Sequence, residues 1–230
     1  SVGCPPGTLA NNFWPAFGNT LFFTLVTVLL ETILGIGMAL VMAKDFHGRG
    51  LLRAAVLVPW AIPTAITAKL WAFLFSEQGI VNSIFHAHVA WQTDPWAARF
   101  SIILADVWKT TPFMALLILA GLQMIPKDLY EAARMDGANA WQRFTRITLP
   151  LAKNSIIVAV LFRMLDALRM YDLPYIMVGP NPDSPTATLS QLVVAAIRQD
   201  HVNAASALST LIFLLIFLIA LCFVKSLGSK

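Results

Sequence analysis

Five apolar segments, each about as long as a membrane-crossing helix, divide this chain of 230 residues. A helix needs about 20 apolar residues to cross the hydrocarbon core of a bilayer, and the connections between the segments carry charges, Pro or Gly that cannot lie in lipid. Hydrophobic residues make up 58% of the chain and charged residues 12%, whereas soluble domains carry about 25% charged residues. The sequence therefore predicts one all-α polytopic membrane domain over 1–230, and it excludes a disordered chain, a disulfide-rich secreted fold and a soluble nucleic-acid-binding protein. The predicted spans are Gly18–Ala43, Leu51–Phe75, Ser101–Ile125, Leu151–Tyr171 and Ala205–Val224.

Lys and Arg are distributed unevenly over the connections. Only Arg99 and Arg198 lie in the two connections on one side. Cytoplasmic connections carry the excess of Lys and Arg in membrane proteins, so the sequence predicts a cytoplasmic C-terminus and an N-terminus on the outer side. The basic residues of the other side are Lys44, Arg49, Arg53, Lys127, Arg134, Arg143, Arg146, Lys153, Lys225 and Lys230.

The cytoplasmic connection from Pro126 to Pro150 is the most informative part of the chain. Its roughly 25 residues exceed the two to eight that usually join neighbouring helices of a bundle. Pro126 at the start and Gly137 after one helical stretch follow the pattern of a helix start and stop, and Ala138–Ile147 resumes with helix-forming residues. The sequence predicts two short helices within 126–147, a pair suited to docking into a groove on a soluble partner.

The same connection resembles the EAA motif, EAA-x3-G-x9-I-x-LP, of permease subunits of binding-protein-dependent ATP-binding-cassette (ABC) importers. Glu131-Ala132-Ala133, Gly137 and Ile147-Thr148-Leu149-Pro150 match the motif at its spacing. The resemblance implies the transmembrane domain of a type I ABC importer, in which this segment is the coupling helix seated in a cleft of the ATPase subunit. It further implies that Glu131 makes the polar contact to the ATPase and that Gly137 permits the turn. The ATPase-coupling residues are then Glu131, Ala132, Ala133, Asp136 and Gly137.

Other stretches are similar to the sugar-transporting branch of that family, of maltose and trehalose type. Asp106–Phe113 and Phe162–Asp166 resemble the actinobacterial trehalose-type subunit. Val178 stands where the family has the first Gly of Gly-Gly-Pro. The family commonly has six spans, so the resemblance implies that a first helix is missing from a truncated chain. The remaining similar stretches are Leu168–Asp172, Gly179-Pro180, Thr186–Leu189, Ala204–Ala207 and the pair Pro59 and Pro63.

The resemblance also implies a set of partners in the bacterial plasma (inner) membrane. These are a second homologous permease, two ATP-binding cassette subunits, an extracytoplasmic sugar-binding (lipo)protein and the lipid bilayer, with no nucleic acid. A G-x-x-x-x-G-K-[ST] phosphate loop is missing from the sequence, so we expect no cofactor in this chain and ATP and Mg bound by the ATPase subunits. We expect that the chain itself is not an enzyme, because a partner subunit would hydrolyse the ATP. Its histidines lack zinc spacing, so we expect no metal site.

Ionisable residues inside the spans mark a candidate site, since each costs about 2.5–3.5 kcal/mol on insertion scales and usually faces the bundle interior or a cavity. One interpretation is a polar site for sugar hydroxyls, with Trp60, Trp71, Trp108 or Tyr171 as stacking platforms. The other is an ion-pair network that joins two helices, with Lys69 and Lys109 reaching towards an interface. Residues three apart meet on a helix surface, which pairs Asp106 with Lys109, and Asp166 with Arg163 and Arg169. The ionisable residues are Glu31, Lys69, Asp106, Lys109, Arg163, Asp166 and Arg169.

Taken together, the sequence predicts a permease subunit that forms the pathway for a di- or oligosaccharide, with trehalose as one candidate. An anion such as a glycerol phosphodiester is an alternative cargo, because Lys109, Arg163 and Arg169 would suit it. An ion-coupled secondary transporter or a membrane scaffold is the alternative of a different class. Such transporters often show paired repeats, and we find none in the sequence.

Overall fold

A computed structural model describes residues 9–86 and 88–228, and this part of the chain is built from helices without a strand. One π-helical turn, Phe144–Thr148, connects α7 to α8. The helices are α1 (Leu9–Ala43), α2 (Arg49–Ala61), α3 (Thr64–Leu74), α4 (Ile80–Phe85), α5 (Pro95–Leu122), α6 (Lys127–Met135), α7 (Ala140–Arg143), α8 (Leu149–Ala167), α9 (Asp172–Met177), α10 (Leu189–Arg198) and α11 (Val202–Gly228).

Four stretches of helix are long and apolar enough to cross a membrane. They are Asn11–Ala43, Pro95–Leu122, Ala140–Ala167 and Val202–Lys225, and each contains or largely overlaps one of the predicted spans. We call the end of the bundle that holds the connections 44–48 and 123–139 the basic end. The opposite end, which holds 75–94 and 168–201, is the far end.

The predicted second span is two helices rather than one. α2 and α3 meet at an angle of 87°, and neither is long enough to cross a bilayer alone. The pair nevertheless runs from one end of the bundle to the other. Arg53 in α2 donates to the carbonyl of Met42 at the basic end, and Phe75, just after α3, packs against Trp91 at the far end. α2 and α3 therefore form one broken span.

Pro63 explains the break. A residue before proline is driven out of the helical region, and Ile62 has an extended backbone (φ −74°, ψ 132°). Pro63 also lacks the N–H that would continue the helix. Pro59, in contrast, lies inside α2 without ending it.

The two longest helices, α1 and α5, form the centre of the bundle. α1 has a stripe of buried polar side chains that faces its neighbours. The hydroxyls of Thr20 and Thr24 in this stripe donate hydrogen bonds to the carbonyls four residues earlier. Gly35 marks a close approach of the two helices, because a Cβ built there would lie 3.1 Å from the Cβ of Met114 in α5. This agrees with the role of small residues in membrane helix packing. The stripe consists of Thr20, Thr24, Thr27 and Glu31.

A proline also shapes the helix that follows the basic end. Pro150 has no N–H to donate to the carbonyl of Arg146, and the backbone widens there into the π-helical turn 144–148. The second of the two short helices predicted within 126–147 therefore continues without interruption into α8. At the far end, Thr188 caps α10, and Leu192 of α10 is buried against α1 and α11.

Candidate functional site

The segment that carries the EAA motif lies at the basic end, and its helix α6 is outside the buried core. α6 has no buried residue, and Glu131, Ala132, Asp136 and Gly137 are all exposed, with Ala133 half-buried. Apolar side chains also face outward on this segment, with Met135 88% and Trp141 70% exposed. A helical surface of this kind is available for a protein partner.

The backbone of the turn after α6 requires a glycine. Gly137 has a φ of +79°, in the left-handed region that other residues adopt only at a cost. Its N–H donates to the carbonyl of Arg134, and the N–H of Ala138 donates to the carbonyl of Ala133. These two bonds are the Schellman pattern that closes a helix. Next to it, Asn139 and Gln142 form a reciprocal capping box that starts α7.

Two side-chain contacts hold α6 in place. The hydroxyl of Tyr130 lies 3.0 Å from that of Thr148, which joins the middle of α6 to the start of α8. Lys127 at the start of α6 bonds at 3.0 Å to Asp45 in the α1–α2 connection, and Asp45 also pairs with Arg49. The hydrogen bond from Lys127, followed by the charges of Lys127 and Arg49, holds the pKa of Asp45 below its usual value. The motif helix is thus exposed yet fixed to the spans.

A buried charge cluster occupies the middle of the bundle. The guanidinium of Arg163 in α8 is 2% exposed and bonds to the carboxylate of Glu31 in α1 at 2.5 and 3.0 Å. It also bonds to Asp106 in α5. Thr110 adds its hydroxyl to Glu31 at 2.6 Å. Because one cation satisfies two carboxylates from two other helices, the cluster fixes α1, α5 and α8 together, one helix more than the network predicted from the sequence.

Lys109 binds the free carbonyls at the break in the second span. Its side chain is buried, and its ammonium donates to the carbonyls of Ile62 and Trp60. These carbonyls stand at the end of α2, where a helix leaves acceptors without intrahelical partners and where its dipole favours a cation. Lys109 therefore does not extend towards an interface. Lys69, in α3, is exposed.

A cavity of about 250 Å³ lies beside the break, and we call it the break cavity. It reaches the surface of the chain, because the side chains of Asp166 and Arg169 are 57% and 71% exposed. Its ionisable lining has three acidic and three basic members, so it carries no net charge. The lining residues are Thr64, Asp106, Lys109, Thr110, Arg163, Asp166, Arg169, Met170, Tyr171, Asp172 and Leu173.

The predicted aromatic platforms are not all brought to this cavity. Tyr171 lines it and stacks on Tyr175 at 4.9 Å. Trp60 stacks on Phe113, and Trp71 packs between Phe75 and Trp108. These three tryptophans are outside the cavity lining and act here in helix packing. Arg163, Asp106, Asp166, Lys109 and Arg169, which were also predicted, all line the cavity.

Glu31 is the residue whose importance the sequence interpretation missed. It was recognised as an in-span charge without a partner, although it is the main acceptor of Arg163, 132 positions away in sequence. A signal was present in the spacing of Thr20, Thr24, Thr27 and Glu31, which puts four polar side chains on one helix face. A polar face on an otherwise apolar helix indicates a polar partner inside the bundle.

Residues 31–229 match the family described as binding-protein-dependent transport system inner membrane component. The chain belongs to this family. The match includes the exposed EAA segment, the break cavity and the buried charge cluster. A multi-pass position in the inner membrane follows from the family and the apolar helices.

Two named relatives are permease proteins of a trehalose/maltose and a trehalose transport system. The permease is 44% identical over 221 residues to the trehalose/maltose transport system permease protein MalF of Thermococcus litoralis, covering 94% of this chain and 75% of that protein. It is 39% identical over 219 residues to the trehalose transport system permease protein SugA of Mycobacterium tuberculosis, covering 94% and 71%.

Among solved structures, it is similar to a chain of a bacterial alginate ABC transporter in complex with an alginate pentasaccharide-bound periplasmic protein. The TM-score is 0.82 at 26% identity, covering 92% of this chain and 77% of that one. This likeness bears out the all-α importer fold that the EAA motif implied. The relatives are transporter membrane components and not enzymes.

Proposed function

We propose that the permease forms the membrane pathway of an ATP-driven importer for a di- or oligosaccharide, with trehalose or maltose as the first candidates. The observation that carries this proposal is the exposed, rigidly held EAA helix α6 on a bundle that also has a polar cavity at a broken span. Non-helical backbone at membrane depth is tolerated where it is buried in protein or lines a cavity, and Thr64, directly after the break at Ile62–Pro63, lines the break cavity.

The motif helix supports the coupling part of the proposal. Glu131 offers a carboxylate on a surface without buried residues, and Ala132 and Ala133 allow a close approach of a partner backbone. Asp136 and Gly137 shape the end of the helix. We infer that α6 docks into a cleft of one of two ATP-binding cassette subunits, which bind and hydrolyse ATP with Mg. Movement of that subunit is passed to α8 through the Tyr130–Thr148 contact.

The break cavity supports the choice of cargo. Its equal numbers of acidic and basic groups, together with Thr64, Thr110 and Tyr171, suit the many hydroxyls of a neutral sugar. An anionic cargo such as a glycerol phosphodiester would require an excess of positive charge, which this lining does not have. Lys109 and Arg163 are also occupied by carbonyls and carboxylates, so they are poorly placed to bind an anion.

The proposed assembly follows from the surfaces left open. The exposed side of the break cavity, at Asp166 and Arg169, would face a second homologous permease, so that sugar passes between the two chains. An extracytoplasmic sugar-binding (lipo)protein would deliver the sugar at the far end. This arrangement puts the basic end in the cytoplasm and the N-terminus outside, in accord with the excess of Lys and Arg at the basic end.

The test is to purify the tagged permease from its native membrane in a detergent that preserves complexes, and to identify what accompanies it. We expect an ATPase subunit, a second permease and a sugar-binding protein, and we expect the last to bind trehalose or maltose in a calorimetric screen. Recovery of the permease alone, with ion-driven uptake by vesicles without ATP, would instead support a secondary transporter.

A further inference from the structure

The basic end contains a second cavity, which the proposed transport function does not use. It has a volume of about 560 Å³, within the range of small-ligand sites. It lies between the end of α1, the start of α2, the end of α5 and the helix α6. We call it the basic cavity. Its charged lining consists of Lys44, Asp45, Arg49, Arg53, Lys127 and Arg134.

The charge balance of this cavity is strongly positive. Asp45 is the one carboxylate among its lining residues in the described part of the chain, and it is shared by Arg49 and Lys127. No carboxylate among the described residues pairs with Lys44, Arg53 or Arg134. The Nε of Arg53 is buried without a hydrogen-bond partner. Donors and positive charge therefore converge on one space with few acceptors.

The depth of the cavity indicates what would fill it. Ala43 and Leu122 both line it, and each is the last residue of an apolar membrane-spanning stretch. Leu40 and Ile125 add further apolar wall. Cationic side chains next to an apolar wall, at the level where the spans end, match the headgroup and glycerol region of a phospholipid. Basic pockets between membrane helices are known to bind anionic headgroups.

We propose that the basic cavity binds the phosphate group of an anionic phospholipid, with Lys44, Arg53 and Arg134 as its principal partners. A free phosphate ester shares the charged chemistry but gains nothing from the apolar wall. The same site also borders the motif helix through Lys127, Tyr130 and Arg134. A bound lipid would consequently lie between the bilayer and α6. This proposal is independent of the cargo and of the transport mechanism.

The experiment measures lipid retention by native mass spectrometry of the permease purified with its accompanying subunits. The protein is exchanged into nanodiscs of phosphatidylcholine with a minor fraction of phosphatidylglycerol before detergent release. We expect phosphatidylglycerol to be retained in preference to phosphatidylcholine. The double variant K44Q/R134Q should retain phosphatidylglycerol roughly 10- to 30-fold more weakly. Each Lys or Arg near an anionic surface strengthens binding several-fold, and the factors for the two residues multiply. Both side chains are exposed, so this variant should fold.

A matched control and a variant of opposite sign make the test specific. R146Q/K225Q removes the same charge from exposed positions outside the cavity and should leave retention unchanged. D45N removes the carboxylate from the lining and should increase retention, since Arg49 and Lys127 become free for phosphate.

Three results would overturn the proposal. The first is equal loss of phosphatidylglycerol in K44Q/R134Q and R146Q/K225Q, which would indicate a general charge effect. The second is displacement of the lipid by millimolar glycerol phosphate or inorganic phosphate, which would make a soluble phosphate the ligand. The third is loss of the ATPase subunit from K44Q/R134Q with lipid retention unchanged, which would assign the cavity to an acidic segment of that partner.

Discussion

The buried charge cluster and the motif helix are both polar features of this permease, and they are held in opposite ways. Glu31, Asp106 and Arg163 are 0–5% exposed, and Arg163 bonds to both carboxylates. α6, in contrast, buries no residue and is attached to the spans mainly by Tyr130 and Lys127. The charged groups of the cluster pair with one another in the folded chain, so the fold itself explains why they are present. The side chains of α6 contribute little to folding, so their sequence is better explained by a partner outside the chain.

Removal of the cation of the cluster should have the largest effect on stability. Arg163→Met leaves the Glu31 and Asp106 carboxylates buried without their partner, which typically costs 3–5 kcal/mol. We expect a large fall in the thermal unfolding midpoint in detergent, or no accumulation in the membrane. The triple variant E31M/D106L/R163M should recover most of the stability, because an apolar replacement of the whole cluster leaves no unpaired charge. Full stability of the single variant would contradict the assigned role. Arg169→Gln, at an exposed position, is the matched control.

A second prediction concerns the contact between α5 and α8 near the basic end. A Cβ at Gly121 would lie 2.3 Å from the Cβ of Ser155, so Gly121→Ala forces the helices apart at a cost of about 1–3 kcal/mol. The unfolding midpoint should fall, and the double variant G121A/S155G should restore it. A double variant as unstable as the single one would show that the overlap is not the cause.

The third prediction concerns the glycine of the turn after α6. Gly137→Ala places a Cβ on a residue with φ of +79°, which costs about 1–2 kcal/mol locally. Because α6 carries no buried residue, we expect the end of α6 to fray while the spans stay folded. Hydrogen exchange should accelerate in 130–140 and remain unchanged in α1 and α5. Uptake should decrease as well. Destabilisation of the spans would contradict the separation of the two regions.

The smallest expected effect is the pH dependence of the Asp45 contact. The pKa of Asp45 is lowered by Lys127 and Arg49. The contact between Asp45 and Lys127 is therefore fully present at any pH above the ordinary aspartate pKa of 3.8. It is lost only as the pH falls through the lowered folded-state pKa. Hydrogen exchange at the start of α6 should therefore be the same at pH 7 and pH 5 after correction for intrinsic rates, and faster only below about pH 4. Asp45→Asn should show the faster exchange already at pH 7. Equal exchange of the variant and the native chain would contradict this contact.

Much of the helical architecture could be predicted because hydropathy and helix signals are local. The long apolar runs and the turn at Gly137 depend on residues within a few positions of each other. The break between α2 and α3 was not predicted, although Pro63 and the restricted residue before it were a sufficient local signal. Pro59, four residues earlier, is accommodated inside a helix, so the presence of a proline alone does not locate a break.

The candidate site was less accessible to the sequence because its contacts are long-range. Arg163 could be paired with Asp166 from their spacing, but its shorter contacts are to Glu31 and Asp106 on other helices. Lys109 could not be assigned to the carbonyl of Ile62 until the break was known. The three tryptophans were candidate platforms by residue type, whereas their packing partners are set by the tertiary fold.

Glu131→Lys tests most directly whether α6 transmits the action of an ATPase subunit to the bundle. Glu131 is exposed and makes no contact in the core. The free energy of unfolding of the variant should therefore lie within about 0.5 kcal/mol of that of the native protein. In proteoliposomes of the complete importer, its sugar uptake should fall roughly tenfold or more, as for a charge at the centre of an interface. ATP hydrolysis should no longer depend on the loaded binding protein. Glu77→Lys makes the same charge change at an exposed far-end position and should hydrolyse ATP normally. Normal, coupled uptake by Glu131→Lys would contradict the account.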